Sequence, residues 1–220
     1  MARTLSPGQL LRGGGQALLV WANQRGPAWA LQPAYRRIAD GIGLESGAFL
    51  DVCCGAGWLG LYVASGKPEL DAVGIDTDEL ALGIGERNKG TRLNVTLRAM
   101  DPARIVYPDR TFHAAAAFCS IRRASDLDAA LSEVHRVLRP GARFYVYEGD
   151  AELERLPEGW LRSPGPWLPE RALMVDFRRR GISGADWDAL KERVRRSPFG
   201  GGEDGRHGPF RRLVLTRGAP

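Results

Sequence analysis

The 220-residue sequence predicts an α/β fold, a mostly parallel central sheet with helices on both faces. Three observations carry that expectation. Short apolar runs of strand length alternate with segments whose apolar residues recur at helical spacing. A strand-like run through Ala48, Phe49, Leu50 and Val52 breaks into the turn Cys53-Cys54-Gly55-Ala56-Gly57, and a second apolar run, 59–64, opens directly behind it. Acids stand within or just after the strands, Asp51 in the first and Asp76 closing the next. Glycines at 55 and 57 let backbone pass close to a ligand, and the N–H groups of the following helix would face it.

The elements follow in order. Residues 1–15 read as irregular, 16–24 as a short helix stopped by Gly26-Pro27, and 33–40 as a helix opened by Pro33 with Tyr35 and Ile38 on its apolar side. After the glycine turn come a strand at 72–75, a helix at 79–88, a strand at 95–98 leading to Asp101, and a fourth strand at 114–119. Leu127, Ala130, Leu131, Val134, Val137 and Leu138 recur at helical spacing. Arg139-Pro140-Gly141 then turns the chain into a fifth strand, 143–147. Residues 153–168, with three prolines and two tryptophans, are too apolar for a plain linker and are expected to fold over a site. Residues 169–180 read as a helix, with a strand at 172–177 as the alternative. Ser183-x-x-Asp186 resembles a capping box ahead of Trp187, Leu190 and Val194. Pro198 and 200–205 read as a glycine-rich loop before a last strand at 210–216.

A 44% apolar composition supports one globular unit with a sizeable core. No run of eighteen apolar residues and no signal-like leader appear, so a soluble cytoplasmic protein is expected, without membrane association. Cys53, Cys54 and Cys119 lack metal-ligand spacing, which predicts reduced thiols and no metal. The net charge of +5 is C-terminal: residues 155–220 hold 14 basic and 8 acidic side chains. Only three of the basic residues in the chain are lysines, and no aromatic-basic stacking pattern accompanies them, which disfavours nucleic acid as partner.

Gly55-x-Gly57-x-x-Gly60 is also a literal dinucleotide fingerprint with an acid downstream. Asp51 argues against it, because a carboxylate there would repel a pyrophosphate, whereas it suits a ligand bearing an ammonium and a sulfonium. The Asp-x-x-x-Gly-x-Gly pattern resembles motif I of the class I S-adenosylmethionine-dependent methyltransferases. Asp76 resembles their second-strand acid, Ala99-Met100-Asp101-Pro102 their adenine segment, 107–112 the approach to their fourth strand, and 138–142 the turn into their fifth. The resemblance runs from about Tyr35 to Glu148. It departs at Cys53 and Ala142, where glycine is usual, and at His113, where aspartate is.

The resemblance implies a Rossmann-like fold with an antiparallel last strand, in which 1–41 form a helical cap, 42–148 the cofactor core and 149–220 substrate-side elements. It implies S-adenosylmethionine as cofactor, held by Asp51, Cys53, Gly55, Gly57, Asp76, Thr77, Met100, Asp101 and Cys119, with Gly57 facing the ligand and Asp76 the ribose. Ligands of such sheets lie outside the carboxyl ends of the strands. His113 and His135 fall at the opposite edge. His207 precedes an antiparallel last strand and falls on the ligand side, which makes it the candidate general base for an acceptor hydroxyl. Asn or Asp followed by Pro-Pro, usual after the fourth strand of nucleic-acid and glutamine amino-methylating members, is replaced by Phe118-Cys119-Ser120-Ile121. A small-molecule oxygen or nitrogen acceptor is therefore expected. The alternatives are a non-catalytic cofactor-binding protein, a nucleic-acid methyltransferase and a nicotinamide oxidoreductase.

Overall fold

The computed structural model describes residues 30–161 and 177–218. The expected helix at 16–24 and most of the segment read as helix or strand at 169–180 lie outside the described residues; 177–180 are helical.

A seven-stranded sheet runs in the order β3-β2-β1-β4-β5-β7-β6. Its strands are β1 (Gly47–Val52), β2 (Leu70–Asp76), β3 (Val95–Ala99), β4 (Phe112–Phe118), β5 (Leu138–Gly149), β6 (Glu203–His207) and β7 (Phe210–Thr216). The first five are parallel, β7 runs antiparallel to β5, and β6 antiparallel to β7. The mostly parallel sheet with an antiparallel last strand is thus present. One strand, β6, was expected as a loop. Its sequence, Glu-Asp-Gly-Arg-His, has no apolar alternation, and it is an edge strand held from outside. Trp187 Nε1 donates to Asp204 (3.0 Å), Lys191 pairs with the same carboxylate (3.0 Å), and Arg206 pairs with the buried Asp150 (2.6 Å).

The helices are α1 (Gln32–Ile42), α2 (Trp58–Val63), α3 (Glu79–Lys89), α4 (Leu127–Val137) and α5 (Gly184–Arg196), with a 3-10 turn at Ile121–Arg123. Pro33 opens α1, and Gly43, left-handed at φ 64°, closes it by donating to Ala39 O. Asp126 caps α4, accepting from the N–H groups of Asp128 and Ala129, and Ser183 caps α5 by accepting from Asp186 N–H, as the capping-box spacing predicts. No helix of the described residues is long and apolar enough to cross a membrane.

Two cores flank the sheet. Ala34, Ile38, Leu59 and Leu61 of α1 and α2 pack with Phe49, Ala116 and Tyr147 on one face. Leu131, Val134, Trp187 and Leu190 of α4 and α5 pack with Leu50, Phe144 and Val146 on the other. Ala114 to Ala117 of β4 are all buried, as a central strand covered on both faces requires. β5 begins at Leu138, five residues before the expected start, with no separate turn. Gly141 N–H donates to Arg217 O, which ties the Arg139-Pro140-Gly141 stretch to the chain beyond β7.

The two histidines expected at the amino edge are there. Ala48 N–H donates to His113 Nδ1 (3.0 Å), and a Cβ on Gly47 would stand 2.6 Å from that ring. His135 packs edge-on against Phe199.

Candidate active site

The turn after β1 is built from consecutive backbone constraints. Cys53, Gly55 and Gly57 all hold positive φ (53°, 54° and 69°), so the chain doubles back between strand and helix. Cys53 adopts that conformation without being glycine, at a cost of about 1–2 kcal/mol. Cys54 N–H donates to Ile75 O of β2, and Gly55 N–H donates to Asp76 Oδ2 (2.8 Å). The other oxygen of Asp76 accepts from Asp78 N–H (2.9 Å), and its carbonyl accepts from Met100 N–H. One buried acid therefore ties the glycine turn, the end of β2 and the end of β3 together.

Asp51 is also buried, and its Oδ2 accepts from Gly60 N–H in the first turn of α2 (2.9 Å). Burial pushes its carboxyl up to about 7. The Gly60 hydrogen bond opposes that rise, and the nearby Asp76 adds to it. A cationic ligand beside Asp51 favours the ionised form, so its binding should release a proton when the pH is below about 7. Affinity for a sulfonium cofactor is accordingly expected to rise with pH up to about 7 and to level off above it. Calorimetric titrations from pH 5.5 to 8.5 check this, and Asp51→Asn should flatten the profile.

The glycines divide in a way the sequence does not reveal. A Cβ on Gly57 would stand 2.7 Å from Leu97 Cδ2, so this position faces the protein interior and not the ligand, which corrects the expectation. Gly74 and Gly85 meet the same Leu97 side chain at 2.7 and 2.4 Å. Leu97 is a wedge around which the turn, β2 and α3 close, and all three glycines make room for it. A Cβ on Gly55 meets nothing within 4 Å. Gly55 is the open side of the turn.

The other expected cofactor residues line up along the same carboxyl edge. Thr77 is exposed directly after Asp76. Asp101 accepts from Ser125 Oγ at both carboxylate oxygens (3.0 and 2.8 Å) and from Ala103 N–H (2.9 Å), so the segment after β3 is joined to the segment after β4. Cys119, left-handed at φ 53°, donates its N–H to Tyr147 O and lies at the end of β4. Among the described residues no group of three potential ligands could hold a metal.

Beside Cys119 a cavity of about 220 Å³ opens at the same edge. Tyr35 of α1, Phe118 of β4, Phe177 and Phe210 of β7 form its aromatic walls, with Leu31 and Leu161 beside them and Arg180, Gly149 and Gly181 completing it. Leu161 belongs to the proline- and tryptophan-rich segment expected to fold over the site. The rings brace one another: Tyr35 stacks on Tyr62 (5.9 Å) and tilts against Phe118 (5.0 Å), and Phe118 meets Phe210 edge-on (4.9 Å).

His207 does not line this cavity. It lies on β6 behind Trp160, whose ring it meets at 4.9 Å, and near Gly41 of α1, with Nε2 buried and without a hydrogen-bond partner among the described residues. Burial lowers its pKa. His207 does precede the antiparallel β7, as expected, but its ring turns toward Trp160 and α1 and not into the cavity. Nor do other residues of the glycine-rich stretch before β7 reach the cavity wall. Glu148 closes β5 at the ligand edge, 1% exposed, with Oε1 unpartnered among the described residues and Oε2 3.5 Å from Arg122. Burial pushes it up to about 7 against the pull of Arg122.

The empty side of Gly55, the two buried acids and the open carboxyl edge fit a bulky nucleoside-bearing cofactor with a cationic end. Comparisons with known proteins agree. Residues 49–141 match the methyltransferase domain family. A demethylmenaquinone methyltransferase of Symbiobacterium thermophilum is 32% identical over 110 residues, 48% of this chain and 44% of that protein. A sterol 4-C-methyltransferase of Caenorhabditis elegans is 31% identical over 121 residues, 54% of this chain and 36% of that one. The chain spans less than half the length of these relatives. A structure from Methanococcus maripaludis assigned to the S-adenosyl-L-methionine-dependent methyltransferases superposes with a TM-score of 0.74 at 16% identity, covering 100% of this chain and 98% of the other, which is a likeness of fold. From the glycine turn to the start of β5 the chain is similar to the methyltransferase domain family, and the fold that carries that match is shared with the Methanococcus structure.

Proposed function

We propose that this chain transfers a methyl group from S-adenosylmethionine to an oxygen or nitrogen atom of a small molecule seated in the cavity beside Cys119. The observation that carries the reading is the placement of that cavity at the same sheet edge as Gly55, Asp51 and Asp76. The cofactor, when bound, supplies a methyl group already primed to leave. Gly55 leaves it room, Asp76 and Asp51 offer carboxylate oxygens to its polar and cationic parts, and Asp101 meets its base.

Among the described residues the cavity wall holds no carboxylate, histidine or lysine. Tyr35 is raised well above the ordinary phenol range by burial and stays a neutral donor. The protein's contribution is then alignment of the acceptor and exclusion of water by the aromatic walls. That arrangement suits a neutral nitrogen lone pair or a hydroxyl that is acidic by itself. A carbon acceptor is the second reading, favoured by the name of the sterol relative. Both relatives are named for ring-bearing small molecules, which supports a ring-bearing acceptor.

The basic C-terminal third supports a nucleic-acid substrate less than its charge suggests, because several of its arginines are paired. Arg193 pairs with Asp128, Arg195 and Arg196 with Glu192, and Arg211 with Asp150 and Glu152. The three thiols, all unpaired, are in keeping with a cytoplasmic setting. Incubation with cofactor labelled in its methyl group, against panels of phenols, amines and carbon acids, tests the activity. Label is expected in at least one phenol or amine. Label in oligonucleotides alone would overturn the reading, and so would cofactor binding with no transfer to any acceptor.

A further inference from the structure

Taking the cavity beside Cys119 as the acceptor site, we infer that its substrate is a flat aromatic molecule of one or two fused rings, with the atom to be methylated on the ring edge. The inference rests on the proposed function and narrows it to a substrate class.

The wall is aromatic on several sides. Phe118, Phe210 and Phe177 are linked ring to ring, Phe177 meeting Phe210 at 5.6 Å and 62°, and Tyr35 joins them through Phe118 at 58°. Neighbouring rings tilted in this way present faces and edges to a common space, and a flat aromatic guest can meet both in the offset and edge-to-face contacts that rings prefer. The position of Phe177 is set by Gly149, where a Cβ would come 3.2 Å from its Cζ. The ring therefore lies close over the end of β5, and no side chain at 149 stands between.

Size and charge exclude the neighbouring classes. A cavity of about 150 Å³ lined by apolar side chains takes up benzene. The 220 Å³ here adds room for a second ring but not for a four-ring skeleton. Aromatic cages also suit quaternary ammonium ions, but such an ion has no lone pair to methylate, and Arg180 on the same wall would repel it. Cys119, at the end of β4, puts a polar group on the wall at the strand ends, and Tyr35 and Arg180 add others. A hydroxyl or ring N–H would turn to that end, toward the cofactor side of β4, and leave the apolar body among the rings.

Fluorescence titration with 2-naphthol and, by competition, with its saturated counterpart decahydro-2-naphthol tests this, each with and without S-adenosylhomocysteine. Naphthol is expected to bind about tenfold or more tightly than the saturated ring, a difference of the size that ring-ring contacts supply. Phe118→Ala should weaken naphthol by a similar factor while S-adenosylhomocysteine affinity stays within about twofold. Leu31→Trp, which fills the cavity from α1, should abolish naphthol binding and likewise spare the cofactor product. Equal affinity for the flat and saturated rings, or no naphthol binding by a protein that binds S-adenosylhomocysteine, would overturn the inference and leave the cofactor assignment intact. Failure of S-adenosylhomocysteine to bind would instead overturn the proposed function, and the titrations without it would still decide whether the cavity selects flat rings.

Discussion

Gly55→Val abolishes cofactor binding in this account, and the effect is the largest expected of any single substitution. Gly55 holds φ 54°, and a Cβ there would meet no atom of the other described residues within 4 Å, so the added isopropyl group projects into the open side of the turn. A β-branched residue in the left-handed region adds strain of about 1–2 kcal/mol to the turn itself. Calorimetry should detect no binding of S-adenosylmethionine or its demethylated product, with the thermal transition lowered only by that strain. The contrast is Gly57→Val. There the new side chain runs into Leu97, and the expected result is a marked loss of stability, with lost binding as its consequence. Circular dichroism melts of the two variants separate an obstructed site from an unbuilt one.

Asp76→Ala is expected to be nearly as severe, and for two reasons that can be told apart. Its carboxylate accepts from Gly55 N–H and Asp78 N–H, and each donor left unsatisfied costs about 1–3 kcal/mol. In the proposed role Asp76 also accepts from the ribose hydroxyls, and losing those charge-assisted bonds adds about 1.5–3 kcal/mol to the loss of binding. Asp76→Asn keeps one acceptor oxygen and should recover part of the stability but little of the affinity. Affinity for S-adenosylhomocysteine in Asp76→Asn equal to wild type would show that the ribose lies elsewhere.

The glycine turn and the parallel strands were legible in the sequence because their chemistry is local. A chain that turns sharply beside a ligand favours glycine, and buried strands need mostly apolar runs, as 48–52, broken only by Asp51, and 72–75 display. β6 was not legible, since an edge strand of Glu, Asp, Gly, Arg and His is held by Trp187, Lys191 and Asp150 from other parts of the chain. His207 stands beside the start of the antiparallel last strand, as read from the sequence, but the pairing of β6 turns its ring behind Trp160. The division between Gly55 and Gly57 was hidden for a different reason. Both are left-handed, and only the position of Leu97, 40 residues beyond Gly57, decides which one faces inward. The aromatic cavity was likewise concealed, because Tyr35, Phe118, Phe177 and Phe210 come from four separate segments. Each alone is indistinguishable from an ordinary core residue.

The central claim is that the carboxyl edge at Gly55, Asp51 and Asp76 holds S-adenosylmethionine. Isothermal titration of the wild-type chain with S-adenosylhomocysteine at pH 8, where Asp51 is mainly ionised, tests it most directly. One molecule bound per chain, with binding lost in Gly55→Val and weakened in Asp76→Ala, is the result predicted. No heat of binding from a folded wild-type protein, or binding that Gly55→Val leaves unchanged, would contradict it.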